Sequence, residues 1–140
     1  MQRREFLGSF TAPVIAACAV CLGACSKSSN GGGNGTSTAT ANFTIDLTTQ
    51  LLTVGSSVAA NGVLIARLTS GSAPSAFVAV QQACTHQGTN INYNATNQSF
   101  LCPNHGAIFN TSGANTGGQS TSALKVYSVS VSGNTMTVTG

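Results

Sequence analysis

FVAVQQACTHQGTNINYNATNQSFLCPNHGAIFN, residues Phe77 to Asn110, holds both histidines of the chain and two of its five cysteines. Cys84-Thr85-His86 is followed, after fifteen residues, by Cys102-Pro103-Asn104-His105. Chance would rarely set each of two histidines two or three positions from a cysteine. Thiolates and imidazoles are metal donors, so the pattern reads as one Cys and one His from each of two loops. The surroundings read as strands. Phe77-Val78-Ala79-Val80 leads into the first loop. Ile91-Asn92-Tyr93 and Ser99-Phe100-Leu101 flank the polar turn Asn94 to Gln98, a hairpin whose second strand delivers Cys102. Ile108-Phe109 begins the strand that leaves the second loop.

Working outward, Leu124 to Val131 alternates with Tyr127, Val129 and Val131 on one face. Ser132-Gly133-Asn134 turns the chain, and Met136 and Val138 run back as a last strand. Upstream, Phe43 to Leu47, Leu51 to Val54 and Val63 to Leu68 are further strand candidates. Nothing after Asn42 has helical periodicity. With 41% apolar residues in strand-like runs, the chain is expected to fold as an all-β sandwich or barrel rather than remain disordered.

Five Lys or Arg and two Asp or Glu are the only formally charged side chains among 140 residues. Arg3, Arg4 and Glu5 sit at the start; beyond Cys25 only Lys27, Asp46, Arg67 and Lys125 remain. A nucleic-acid binder needs a clustered basic footprint, and none exists here. Ser, Thr, Asn, Gln and Gly must solvate the surface instead.

Gln2-Arg3-Arg4-Glu5-Phe6-Leu7 resembles a twin-arginine export signal, although Gln2 and Gly8 depart from the usual flanks. The apolar stretch Leu7 to Leu22 is short for a membrane span, which needs roughly 20 residues. It ends in Leu22-Gly23-Ala24-Cys25, which resembles a lipobox with Cys25 as the acylated residue. Ser26 to Asn42 has the composition of a flexible tether. The expected organisation is therefore a signal over residues 1–24, a tether over 25–41 and a folded domain over 42–140. It implies an exported, cell-envelope protein held to the membrane through Cys25. Cys18 and Cys21 would be discarded with the signal, leaving Cys84 and Cys102 in the domain.

Two readings of those cysteines compete with a redox cluster. An exported domain with two thiols can form one disulfide, and two Cys plus two His can close a tetrahedral zinc site.

Cys-x-His followed at this distance by Cys-x-x-His, with Pro103 and Gly106 in place, resembles the Rieske iron–sulfur family. The likeness is close from Phe77 to Gly113 and looser elsewhere. It implies a Rieske-like antiparallel β sandwich or barrel with a small cluster-binding subdomain of two loops. It further implies one [2Fe–2S] cluster on Cys84, His86, Cys102 and His105, with two thiolates on one iron and two imidazoles on the other. Gly88 and Gly106 are expected to let backbone N–H groups approach the cluster, or simply to make turns. The chain departs from the quinol-oxidising members. Thr89 and Asn104 stand where those members place a disulfide between the loops, and Ala107 and Phe109 stand where they place Ser and Tyr hydroxyls. Losing those donors should lower the potential. Residues 111–122 lack the proline of the usual covering loop, so a more mobile cover is expected.

Asp46 is the only acidic residue after the signal, so neither paired carboxylates nor a Ser–His–acid set can be built. The expected role is electron transfer to an unidentified redox partner, with docking at Gln87, Gly88, Asn104 and Gly106 and no nucleic acid involved. Rival roles are a small electron-transfer subunit of a quinol- or substrate-oxidising complex, and a β-rich surface protein with a structural metal site.

Overall fold

The computed structural model describes residues 40–119 and 122–140. The expected export signal, Cys25 and the tether as far as residue 39 lie outside the described residues. Ala41 already belongs to the folded body: it is buried, and its N–H and C=O both pair with Gly140.

The described residues form ten strands and a single 3-10 turn, Pro74–Ala76. In chain order the strands are β1 Asn42–Asp46, β2 Ser57–Ala60, β3 Val63–Arg67, β4 Phe77–Gln81, β5 Asn92–Asn94, β6 Ser99–Leu101, β7 Ile108–Phe109, β8 Asn115–Gly117, β9 Val126–Ser132 and β10 Thr135–Thr139. They make a six-stranded sheet ordered β1-β10-β9-β4-β3-β2 and a four-stranded sheet ordered β5-β6-β7-β8. All neighbours are antiparallel. The smaller sheet is thus an insertion between β4 and β9, which pair with each other through Ala79–Tyr127 and Val80–Val126. Both ends of the insertion are pinned to one place.

The runs Val63-Leu64-Ile65-Ala66 and Phe77-Val78-Ala79-Val80 are apolar at every position because β3 and β4 are covered on both faces. Strand alternation sorts them. Val63, Ile65, Phe77 and Ala79 face one core with Ile45, Tyr127, Met136 and Val138. Leu64, Ala66, Val78 and Val80 face the other, which they share with Ile91, Phe100, Phe109, Leu124 and the two cysteines. The central sheet therefore supports the small subdomain directly.

Two expectations change. Leu51 to Val54 is not a strand. Leu51 takes φ 54 and is buried alone, while Leu52 and Val54 are exposed. Arg67 holds this bend: its guanidinium donates to the carbonyls of Leu51 at 2.8 Å, Leu52 at 3.3 Å and Gly71 at 2.9 Å, and lies 5.4 Å above the Phe77 ring. The edge strand is instead β2, whose Ser and Ala residues hide its alternation. Asn61 and Gly62, both at positive φ, make the two-residue turn into β3.

Replacing Arg67 by Ala should lower the unfolding free energy by about 2 kcal/mol, since a hydrogen bond from a charged group contributes roughly 1.5–3 kcal/mol net. Urea unfolding of the two proteins measures it.

Candidate metal centre

Each cysteine opens a six-residue loop, and the two loops share one backbone frame. Loop 1, Cys84–Thr89, joins β4 to β5; loop 2, Cys102–Ala107, joins β6 to β7. In loop 1 the Gly88 N–H donates to the Cys84 carbonyl at 2.8 Å, and the Cys84 N–H donates to the Thr89 carbonyl at 2.8 Å. In loop 2 the Gly106 N–H donates to the Cys102 carbonyl at 3.0 Å, and the Cys102 N–H donates to the Ala107 carbonyl at 2.8 Å. The base pairs also match: Ala83 bridges Asn90, and Leu101 pairs with Ile108. The fifth position of each frame needs a left-handed backbone, φ 72 at Gly88 and φ 67 at Gly106, which is why glycine stands there.

This frame places the thiols and imidazoles in different surroundings. Cys84 and Cys102 are each 2% exposed, within the apolar cluster of Ile91, Phe100 and Phe109. His86 and His105 are exposed. Their Nδ1 atoms lie 3.1 Å apart and their rings meet edge to face, with centroids separated by 4.8 Å. The thiols also face each other across the loops and are free rather than joined in a disulfide.

The N–H groups of Gly88 and Gly106 themselves close the turns, as the turn reading of these glycines expects. Those directed at sulfur belong to His86 and Gln87 for Cys84, and to Asn104 and His105 for Cys102. Burial pushes the Cys84 thiol above its ordinary value, and the Cys102 sulfur adds to that. Burial also pushes Cys102 upward, but the Asn104 N–H, the Cys84 thiol and the His105 N–H outweigh it and hold Cys102 below the usual range.

Ala107 and Phe109 are fully buried and bring no hydroxyl. Asn104, one of the two positions without a disulfide cysteine, donates from Nδ2 to Gln87 Oε1 at 3.1 Å. Of the following segment, Leu124 N–H closes the base on the Gly113 carbonyl at 2.8 Å, and Thr85 Oγ1 donates to the Ser122 carbonyl at 2.9 Å. Gly118 presses its backbone on loop 2, so that a methyl group there would collide with the Gly106 carbonyl oxygen. The segment thus touches both loops. Sequence reasoning placed residues 111–122 over the site but gave neither the approach of Gly118 to Gly106 nor the Thr85 contact, since both depend on how separate loops meet.

Among the described residues, no three His, Cys, Asp or Glu side chains converge as a single metal ion would require. A tetrahedral zinc ion wants four donors around one point. These donors separate into a buried sulfur pair and an exposed nitrogen pair, the division that suits two metal ions bridged within one cluster.

A family model described as the Rieske [2Fe-2S] domain matches residues 49–128. Among solved structures, the chain is similar to the ferredoxin of carbazole 1,9a-dioxygenase from Nocardioides aromaticivorans IC177, at 20% identity and TM-score 0.56, over 72% of this chain and 98% of that one. It is also similar to the cyanobacterial plasma membrane Rieske protein PetC3 from Synechocystis PCC 6803, at 32% identity and TM-score 0.49, over 56% of this chain and 76% of that one. No curated protein sequence matches.

Two glycine replacements should separate turn conformation from close packing. Gly106→Ala meets nothing within 4 Å and should cost only the left-handed backbone penalty, about 1–2 kcal/mol. Gly118→Ala adds the collision with Gly106 and should cost clearly more. Urea midpoints of the purified variants rank them.

Proposed function

This chain belongs to the Rieske [2Fe-2S] domain family, and from that premise we propose that Cys84, His86, Cys102 and His105 hold its cluster and that single electrons pass at the exposed imidazole edge. The domain binds a [2Fe–2S] cluster, and its kind transfers electrons. The observation that carries the ligand assignment is the division of the donors, two thiols sealed in an apolar core and two imidazoles open to solvent.

When bound, the cluster supplies a one-electron couple with a potential of about −150 to +300 mV. The residues divide the remaining tasks. Ile91, Phe100 and Phe109 keep water from the sulfur side. The N–H groups of His86, Gln87, Asn104 and His105 offset thiolate charge. His86 and His105 bring the redox centre to the surface, where a partner can approach.

Ala107 and Phe109 offer no hydroxyl to the cluster, which supports a potential in the lower part of the family range. Gln87, Gly88, Asn104 and Gly106 are exposed and uncharged, and support a docking surface for a redox partner protein. In the described residues the only charged side chains are Asp46, Arg67 and Lys125. Arg67 is engaged by backbone carbonyls, and the Lys125 ammonium lies 4.9 Å over the Tyr127 ring. The motif at Cys25 supports an exported protein tethered to the membrane by lipid. No helix among the described residues is long and apolar enough to cross a membrane.

Electron paramagnetic resonance of the dithionite-reduced protein tests the reading, and a Rieske-type signal is expected. His86→Ser and His105→Ser should each abolish it, and survival of the signal in either would overturn the ligand set. A titration should give a midpoint in the lower half of the range; a value above about +200 mV would contradict the argument from Ala107 and Phe109. Electron transfer to the partner should change by less than about twofold between low and high ionic strength, because the docking face lacks charge.

A further inference from the structure

Three pairs of side chains meet between the two loops, and one of them has neither a thiol nor an imidazole. Cys84 faces Cys102, and His86 faces His105. The third pair is Asn104 and Gln87, joined by the 3.1 Å hydrogen bond from Nδ2 to Oε1. Because the loops share one frame, the pairing is crosswise. The third position of loop 1 and the fourth of loop 2 are the imidazoles; the fourth of loop 1 and the third of loop 2 are the amides.

We propose that Gln87 and Asn104 are positioning residues, an amide clamp that sets the spacing of the two loops independently of metal and so governs how firmly the cluster is held. The proposal rests on the Rieske reading above. The two ligand pairs cannot serve as such a tie. A thiol that binds metal has lost its S–H donor, and an imidazole nitrogen that binds metal has no lone pair for its neighbour. Both contacts are surrendered when metal arrives. The amides are neutral at every pH of interest and keep donor and acceptor in either redox state. No covalent tie assists them, since Cys84 and Cys102 are free.

The clamp residues are coupled to the sulfurs through their own backbone. The Gln87 N–H is directed at Cys84 and the Asn104 N–H at Cys102. A side-chain bond between these residues therefore steadies two of the N–H donors that offset thiolate charge. Loosening it should free the loops to part and should weaken those donors together.

The test uses the full-length loaded protein and the near-isosteric variants Gln87→Met and Asn104→Leu, the double variant, and the exchange Gln87→Asn with Asn104→Gln. Loss of visible absorbance is followed under a chelator in mild guanidinium. Each single variant should lose its cluster about fivefold faster, equivalent to about 1 kcal/mol, the usual net contribution of one neutral hydrogen bond. The double variant should be no faster than either single one, because both remove the same bond. The exchange should return the rate to within about twofold of the wild type. The midpoint potential of the single variants should move downward and their spin-resonance lines should broaden. Unchanged rates, or single effects that multiply in the double variant, overturn the clamp. A wild type without iron and acid-labile sulfide overturns the Rieske reading and the clamp with it. A wild type that holds its cluster beside indifferent variants overturns the clamp alone.

Discussion

A thiol must be sealed from water and an imidazole two or three residues away must be left in it. That constraint governs the site. A strand would fail it in loop 1, where Cys84 and His86 lie two apart and would share a face. The six-residue frame solves it by turning back sharply. Its glycine N–H returns to the cysteine carbonyl, and the cysteine N–H reaches forward to the sixth carbonyl. Sulfur is left inside and the intervening side chains are thrown out. The same frame accepts His at its third position in loop 1 and at its fourth in loop 2. That difference of one residue lets the two imidazoles meet crosswise.

Loops of this kind need a rigid base. The base is the insertion of four short strands between β4 and β9, whose mutual pairing fixes where the insertion starts and stops. Leu64, Ala66, Val78 and Val80 give the insertion an apolar floor, and Phe100 and Phe109, neighbours across β6 and β7, rest on it with no exposed surface. The cysteines share this core with the floor. Stability of the larger sheet and retention of the thiol geometry are consequently the same packing problem, and the segment pressed on Gly106 by Gly118 closes it from outside.

The scarcity of charge has a physical corollary. Arg67 is committed to carbonyl groups and the ring of Phe77, and the two loops, residues 84–89 and 102–107, contain no Asp, Glu, Lys or Arg. Backbone N–H groups and neutral amides provide the polar environment. Such groups respond weakly to salt and pH.

Much of this was legible in the residues. The two Cys–His pairs, the hairpin from Asn92 to Leu101 and the alternation of β9 and β10 each depend on neighbours close in sequence, and each was readable. Leu51 to Val54 misled because its apolar residues answer to Arg67, over a dozen positions away. β2 was overlooked because Ser and Ala carry no clear pattern, although Asn61-Gly62 marked its turn. From sequence alone came the donor types, their spacing and the all-β class, because these follow from local chemistry and periodicity. Tertiary structure alone decided that Gln87 meets Asn104, that Gly118 lies on Gly106, and that the donors part into a buried pair and an exposed one. Those facts depend on how two distant loops face each other, and no local preference of the chain encodes that.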